Sequence, residues 1–383
     1  SIMIENKKVS CIILSGGKGT RLGYDYPKQF VKIYGVPMIC HTVENLARSA
    51  YIDEIYVVSE ADTLQKCKEL IENKKLHNEL YNKVKAVIVG GESRQKSSFN
   101  GVKYVDENTN SEIVTIHDVA RPFTSVETIN ANIEAALRKG CAVSCIPSKD
   151  TIRNEHETLK RDELFIVQTP QSFQIDVVKQ AHIEAEKNGF SGTDDVSLAE
   201  RIGIVPEITC GSYSNRKITT KEDLPVEYRV GKGYDVHRLV ENRPCILGGV
   251  KIHNEMGLMG HSDADVLIHA VIDGILGAMG LGDIGMHFPD TDDRYFGISS
   301  LKLLSKVANI VKENGYRIMN IDSIVICEKP KVLPYVAEMK RNLSEILQID
   351  IARINIKGTT TEKLGFTGRK EGIAAEAVCL LSI

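Results

Sequence analysis

Val9-Ser10-Cys11-Ile12-Ile13-Leu14-Ser15-Gly16-Gly17-Lys18-Gly19-Thr20-Arg21-Leu22 runs from an unbroken apolar, β-branched stretch straight into a glycine loop. An apolar run without alternation predicts a strand, Val9–Leu14, buried on both faces as in a parallel sheet. Comparable runs recur at Glu54–Val58, Lys85–Val89, Glu112–Ile116 and Ala142–Ile146. They alternate with helical patterns at Met38–Arg48, Ala61–Asn73 and Val126–Lys139. That rhythm specifies an α/β fold, a doubly wound, mostly parallel sheet with helices on both faces. In the loop, glycines let backbone amides approach phosphate oxygens, and Lys18 and Arg21 add charge for a triphosphate. Taken alone the loop is equally a plain strand-to-helix turn, since it lacks the Walker Lys-Ser/Thr ending and the GxGxxG spacing.

The rhythm breaks at Ser148–Gln168, a polar excursion leading into Leu164-Phe165-Ile166-Val167. A disordered loop and a protruding hairpin are both compatible with it, and its strand-like ends favour the hairpin. Pro225-Val226-Glu227-Tyr228 marks the boundary between residues 1–227 and a smaller α+β domain, residues 228–383. There the pattern restarts with a strand at Arg229-Val230-Gly231, helices Asp263–Met279, Ile298–Asn314 and Leu333–Leu347, and strands Asn320–Cys327, Ile351–Lys357 and Ala374–Leu381. A chain of 383 residues exceeds what one hydrophobic core usually organises, which also argues for two domains.

With 48 Lys+Arg against 51 Asp+Glu, no global field attracts nucleic acid or an anionic membrane, so the expected partners are small molecules. The nine cysteines follow neither a disulfide framework nor a CxxC zinc pattern, and no apolar run reaches membrane-spanning length. A reduced, cytoplasmic protein is expected.

Asp235-Val236-His237, His261-Ser262-Asp263 and His269 carry the second chemistry. Asp235 and His237, two apart at a strand end, present their side chains on one face. His269 falls on a helix that Ser262 is expected to cap. One carboxylate and two imidazoles form the three-ligand set that zinc uses when a fourth position stays open for substrate.

Further motifs extend each half. Pro27-Lys28-Gln29-Phe30, Gly90-Gly91-Glu92-Ser93-Arg94-Gln95-Lys96-Ser97, His117-Asp118-Val119-Ala120-Arg121-Pro122, Thr169-Pro170-Gln171, Thr193-Asp194-Asp195 and Asn215-Arg216-Lys217-Ile218-Thr219 follow one another in order. With them residues 6–227 resemble the 2-C-methyl-D-erythritol 4-phosphate cytidylyltransferases. Ser15-Gly16-Gly17 replaces the family's usual Ala-Ala-Gly, and Val119 replaces an alanine. The resemblance implies attack of methylerythritol 4-phosphate on the α-phosphorus of CTP, with Mg²⁺ or Mn²⁺ on the triphosphate and pyrophosphate expelled. It assigns Arg21, Lys28 and Lys217 to neutralising the transferring phosphates. Gly16, Gly17 and Ser97 hold the cytosine and triphosphate, Asp118, Arg121, Thr169 and Thr193 the diol phosphate. Arg161 belongs to an arm that reaches a neighbouring subunit.

From Arg229 onward, Gly233-Tyr234-Asp235-Val236-His237, Leu247-Gly248-Gly249, Gly260-His261-Ser262-Asp263-Ala264-Asp265, Gly282-Asp283-Ile284-Gly285 and Phe288-Pro289-Asp290-Thr291-Asp292 resemble the 2-C-methyl-D-erythritol 2,4-cyclodiphosphate synthases. Lys329-Pro330-Lys331-Val332-Leu333-Pro334 and the stretch from Lys357 to Arg369 continue the likeness. It implies that a 2-phosphate attacks the β-phosphorus of its own CDP group, closing a cyclic diphosphate and releasing CMP. Asp235, His237 and His269 then bind Zn²⁺, Glu362 positions Mg²⁺, His261 and Ser262 contact the reacting phosphate, and Asp283 the diol. Lys331, Leu333, Thr359 and Thr360 hold the cytidine diphosphate from an adjacent subunit of a trimer. Phe366, Arg369 and Glu376 line a central cavity, unless they simply pack the core. A trimeric second domain with a dimeric first domain makes a homo-hexamer, and an assembly with the separate pathway kinase stays open. Two rivals remain: a sugar-nucleotide pyrophosphorylase fused to a metal-dependent phosphatase, and a nucleotide-binding scaffold stapled by a closed metal site.

Overall fold

The structure, a computed structural model, describes residues 6–17, 22–289 and 291–383. The chain divides into two units, Ser1–Pro225 and Val226–Ile383. Lys18, Arg21 and Asp290 lie outside the described residues.

In the first unit β1 (Val9–Ser15) is buried throughout. Its sheet also contains β4 (Glu54–Ser59), β5 (Val84–Val89), β6 (Ile113–Asp118), β7 (Cys141–Pro147), β8 (Phe165–Gln174) and β9 (Glu207–Cys210), in the order β5-β4-β1-β6-β8-β7-β9. The short strands β2 (Lys32–Ile33) and β3 (Val36–Pro37) pair separately. Pairing is parallel except where β8 runs antiparallel between β6 and β7. Alternate side chains of β1 enter opposite layers, which explains why its sequence does not alternate. Val9, Cys11 and Ile13 pack with α1 (Met38–Ala47), α2 (Leu64–Lys75) and α4 (Val126–Lys139). Ile12 and Leu14 pack with α3 (Arg94–Asn108), α5 (Ile175–Lys187) and α6 (Asp195–Arg201). Ser93 accepts from Lys96 N–H and Ser125 from Thr128 N–H, so hydroxyl caps start α3 and α4.

The polar excursion is a hairpin: Arg153 bridges Thr158, Leu159 N–H donates to Ile152 O at 2.8 Å, and Ser148 N–H to Leu164 O at 3.0 Å. β9, which no sequence pattern announced, completes the edge beside β7.

The second unit is a five-stranded sheet of β10 (Tyr228–Glu241), β13 (Met256–Leu258), β14 (Arg317–Ile326), β15 (Ile354–Thr359) and β16 (Gly372–Ser382), in the order β13-β10-β16-β14-β15. A small hairpin, β11 (Cys245–Leu247) with β12 (Val250–Ile252), accompanies it. The helices are α7 (Val266–Met279), α8 (Ile284–His287), α9 (Ser300–Glu313), α10 (Val336–Leu347) and α11 (Gly365–Gly368). One core gathers α7, α9, α10 and one face of the sheet.

Three expectations require correction here. The strand expected at Arg229–Gly231 is fourteen residues long, so Asp235 and His237 sit inside it rather than at its end. The helix expected from Asp263 begins at Val266, and its cap is Asp265, not Ser262. Asp265 accepts from Ile268 N–H at 3.1 Å and from the Gly248 and Gly249 amides at 3.0 and 2.7 Å, so it caps the helix and anchors the β11–β12 turn together. Three cap-type residues, Ser262, Asp263 and Asp265, fall within four positions, which is why spacing alone chose the wrong one.

Odd-numbered residues of β10 face α7, and at two of them the helix backbone rests on the strand. A Cβ on Gly231 would lie 1.9 Å from the Gly274 carbonyl oxygen, and one on Gly233 1.8 Å from that of Ala270. Gly233→Ala must therefore push α7 outward, and overpacking of this kind costs about 3 kcal/mol at the upper end of its usual range. Urea unfolding followed by circular dichroism will show the second unit's transition moved to lower denaturant. An unchanged midpoint would mean that the helix stands off the strand. On the opposite face of the sheet Val230, Tyr234, Val236 and Val378 are exposed.

Candidate active sites

The first site lies at the carboxyl ends of β1, β5 and β6, where open α/β sheets bind ligands. A cleft of about 340 Å³ is lined by Gly16, Gly17, Lys28, Glu60, Ser93, Arg94, Ser97, Asp118 and Lys217, among others. Gly17 has φ +110°, and a Cβ there would meet the Lys28 ammonium at 3.3 Å, so only glycine lets this cation lie against the loop. The Gly17 N–H donates to Glu60 Oε1 at 2.7 Å. Ser97 Oγ accepts from Gly91 N–H at 3.1 Å, securing the loop after β5.

Alternating charges cross the floor. Lys217 Nζ pairs with Asp118 Oδ2 at 2.8 Å, and Arg94 with Asp118 Oδ1 at 3.1 Å and Asp195 Oδ2 at 2.9 Å. Asp195 also accepts from Ser98 and meets His182 Nε2 at 2.9 Å. Burial opposes the charge on Asp118, but Arg94 and Lys217 hold its carboxyl well below the usual carboxylate range. Burial likewise opposes the charge on Asp195, and Arg94 and His182 hold it down at about 2.

Of the expected residues, Gly16, Gly17, Lys28, Ser97, Asp118 and Lys217 line this cleft together. Arg121 and Thr169 are buried supports: Arg121 donates to Asn215 O at 2.7 Å, while Thr169 Oγ1 accepts from Asp118 N–H at 3.1 Å and meets His117 Nδ1 at 3.0 Å. Thr193 is exposed beside the cap of α6, and Arg161 is exposed on the turn Arg161–Glu163 of the hairpin. Arg94 was missed as a site residue because its two partners are distant in sequence. The signal that it had was its place in the motif that follows β5, at the first turn of α3.

His117 is fully buried, and burial depresses its pKa to about 4, partly offset by the bond to the Arg121 carbonyl. An unfolded histidine titrates near 6.5, so the unfolded chain takes up the proton first and stability falls as pH drops from about 6.5 toward 4. Between pH 7 and 5 the first unit loses about 2 kcal/mol by this linkage. In His117→Gln most of that loss disappears. Urea midpoints at the two pH values provide the check, and an equal fall in parent and variant would exclude His117 as the source.

The second site forms where β10 faces α7. Asp235 Oδ2 lies 3.0 Å from His237 Nε2 and 3.0 Å from His269 Nδ1, and the two nitrogens are 3.4 Å apart. Burial would raise the Asp235 carboxyl, but the His237 and His269 imidazoles beside it hold it at about 2. His237 Nδ1 faces the Met259 carbonyl at 2.8 Å, which orients its Nε2 inward. His269 Nε2 meets Ser300 Oγ at 2.9 Å and Ser262 Oγ at 3.3 Å. One carboxylate oxygen and two outward-tethered imidazoles converging on one point suit a divalent cation with positions left for substrate.

His261 precedes Ser262 in the chain, with its ring edge-on to Phe296 at 5.0 Å and its Nε2 buried without a hydrogen-bond partner among the described residues. Asp283 is exposed and caps α8. Glu362 accepts from Thr360 Oγ1 at 3.2 Å in an exposed loop just past Thr359, the exposed last residue of β15. Lys331 and Leu333 are exposed as well, Phe366 borders on exposed, and Arg369 pairs with Glu371 at 3.1 Å. Glu376 pairs with Lys232 at 3.2 Å. The structure thus joins the expected metal ligands with Ser262, and leaves the expected nucleotide-holding residues on the surface of a single chain.

The family model described as 2-C-methyl-D-erythritol 4-phosphate cytidylyltransferase matches residues 9–228, and that of the YgbB family matches residues 228–382. A protein of Desulforudis audaxviator named bifunctional enzyme IspD/IspF is 41% identical over 384 residues, covering 97% of this chain and 96% of the relative. A namesake from Desulfotalea psychrophila is 40% identical, covering 98% and 99%. The solved structure of the bifunctional IspDF from Campylobacter jejuni is 34% identical, with a TM-score of 0.48 and 98% of each chain covered. With a family model on each half and full-length relatives spanning both, the chain belongs to the bifunctional IspD/IspF enzymes.

Proposed function

We propose that the family's two activities in isoprenoid synthesis divide between the halves, with cytidylyl transfer in residues 1–227 and cyclodiphosphate closure in residues 228–383. Membership in the family makes the chain a cytidylyltransferase and a cyclodiphosphate synthase of the methylerythritol phosphate route. The observation that carries the division is the pair of unlike sites, a cationic cleft at the end of a parallel sheet and a carboxylate–imidazole triad between strand and helix.

In the cleft, transfer between phosphates requires cations at the equatorial and leaving oxygens more than covalent help. Lys28 and Lys217 supply that charge, and Arg21 is assigned to the same task by its place in the loop. Asp118 holds the Lys217 ammonium at the cleft rather than in solvent. Thr169 and Arg121 brace Asp118 and the adjoining turn from below, and Thr193 and Arg161 act on the diol phosphate, Arg161 from a second copy. CTP carries its own Mg²⁺ or Mn²⁺.

In the second half, Asp235, His237 and His269 hold the cation, zinc by this donor set. When bound it would neutralise phosphate charge as the substrate's 2-phosphate folds back onto its own diphosphate. His261 and Ser262 orient the reacting phosphate, Asp283 takes the diol, and Glu362 places a second divalent ion. Lys331, Leu333, Thr359 and Thr360 grip the cytidine diphosphate of an adjacent copy, which is why they lie exposed on one chain. The exposed Val230, Tyr234, Val236 and Val378 support a trimer closed around this face, with Phe366, Arg369 and Glu376 toward its cavity. Two trimers joined through dimeric first halves make a hexamer, and the pathway kinase acts as a separate partner. Free cysteines, eight of the nine buried, accord with the cytoplasm, and among the described residues no helix is long and apolar enough to cross a membrane.

Phosphorus NMR of the protein with CTP, methylerythritol 4-phosphate and Mg²⁺ tests the reading. Pyrophosphate and a new diphosphate diester are expected. Unchanged CTP in folded protein, with turnover of a sugar 1-phosphate instead, would reject the acceptor assigned here.

A further inference from the structure

We infer that Ser300, locked by Asp263, is a positioning residue that sets the tautomer of His269 and thereby the affinity of the second site for its metal. This rests on the reading of Asp235, His237 and His269 as ligands. A neutral imidazole has one N–H and one lone pair, and it can ligate through Nδ1 only if the proton is on Nε2. His269 Nδ1 is the atom that faces Asp235 and His237. What lies behind Nε2 therefore decides whether the ligand is ready.

Two hydroxyls lie there, and they are not equivalent. Ser300 Oγ is 2.9 Å from Nε2 and its side chain is fully buried at the start of α9. Its own proton is committed, because Ser300 Oγ–H donates to Asp263 Oδ1 while Ser300 N–H donates to Asp263 Oδ2 at 2.9 Å. Asp263 is held in turn by the Asp265 N–H at 3.2 Å. A carboxylate only accepts, so Ser300 must offer His269 a lone pair and never a proton. That places the imidazole proton on Nε2 and the lone pair on Nδ1, aimed at the metal position. Ser262 Oγ is farther, at 3.3 Å, and its oxygen accepts from Ala264 N–H. Its proton stays available for a phosphate oxygen. The two serines thus divide the work, one orienting the ligand and the other meeting substrate.

The test is a zinc titration of the full chain against a chromophoric chelator, with His237→Ala as the blank for zinc held elsewhere. Ser300→Ala removes the acceptor and is expected to weaken zinc by 10- to 100-fold, about the effect of losing an outer partner of a ligating histidine. Ser300→Thr keeps the hydroxyl and is expected to restore binding to within a few-fold, which a merely space-filling role would not explain. Asp263→Asn keeps the size but allows the serine proton to turn toward His269, so it too should weaken zinc. With zinc bound, ¹⁵N spectra of labelled histidine should show the His269 Nε2–H protected from solvent exchange in the parent, where Ser300 accepts it, and exchanging faster in Ser300→Ala. Parent-like zinc affinity in Ser300→Ala would overturn the inference while leaving the metal reading intact. A parent that binds no more zinc than His237→Ala would overturn the metal reading and the inference with it.

Discussion

His237→Ala protein is expected to release CMP at least about a thousandfold more slowly than the parent while releasing pyrophosphate from CTP at an unchanged rate. The first half of that expectation follows from ligand number. Removing one of three protein ligands leaves a carboxylate and one imidazole, and a site that loses even an outer partner already weakens by about 10- to 100-fold. The charge neutralisation that brings a phosphate dianion onto a diphosphate goes with the metal. The second half follows from the architecture, since His237 lies in the unit Val226–Ile383 and the cationic cleft is built wholly from Ser1–Pro225. Parallel assays of CMP and pyrophosphate, with zinc content measured on the same samples, decide it. Undiminished CMP release would remove His237 from the ligand set.

Arg94→Ala carries the other large effect, and it falls on stability and rate together. Among the described residues Arg94 alone pairs with both Asp118 and Asp195, and both carboxylates are buried. Breaking a buried pair from one side costs about 3–5 kcal/mol because the orphaned charge stays behind. Lys217 and His182 remain as partial partners, and the guanidinium is itself partly exposed, so the lower end, about 3 kcal/mol, is expected. The Lys217 ammonium would then be the main counter-charge of Asp118 and less available to phosphate, so cytidylyl transfer should fall by about a hundredfold, as it does when one donor to a developing oxyanion is lost. Arg94→Lys keeps one charge but not the fork, and should recover less than half of the lost stability. Urea unfolding of the first unit and pyrophosphate release are the readouts. A variant with parent stability would show that the two carboxylates do not depend on this bridge.

The strands that were legible were those carrying an apolar, β-branched run, whether buried on both faces or, like β5, only partly. β1, β4 and β6 were placed within a residue or two for that reason. β10 was seen only at its first residues because glycines and metal ligands occupy its inner face, so no run of apolar side chains marks it. β9 is short and half exposed, and β8 was recognised only at Phe165–Val167 because Gln168 to Phe173 is mostly polar yet buried between two strands. The cluster of Asp235, His237 and His269 was legible because two of its members are neighbours on one strand. The bridge through Arg94 was not, because Asp118 and Asp195 approach it only once the sheet has closed.

Gly231 and Gly233 act as a ruler. By admitting the backbone of α7 onto β10, they set the distance across which the short side chains of Asp235 and His237 meet His269 on the helix. In a relative that kept Asp-x-His and the helical histidine but replaced these glycines, every ligand would survive in the sequence while the point of convergence was lost. The sign of a competent centre is therefore the whole stretch Gly-x-Gly-x-Asp-x-His, Gly231 to His237, and a search that scores the ligands alone would admit chains unable to gather them.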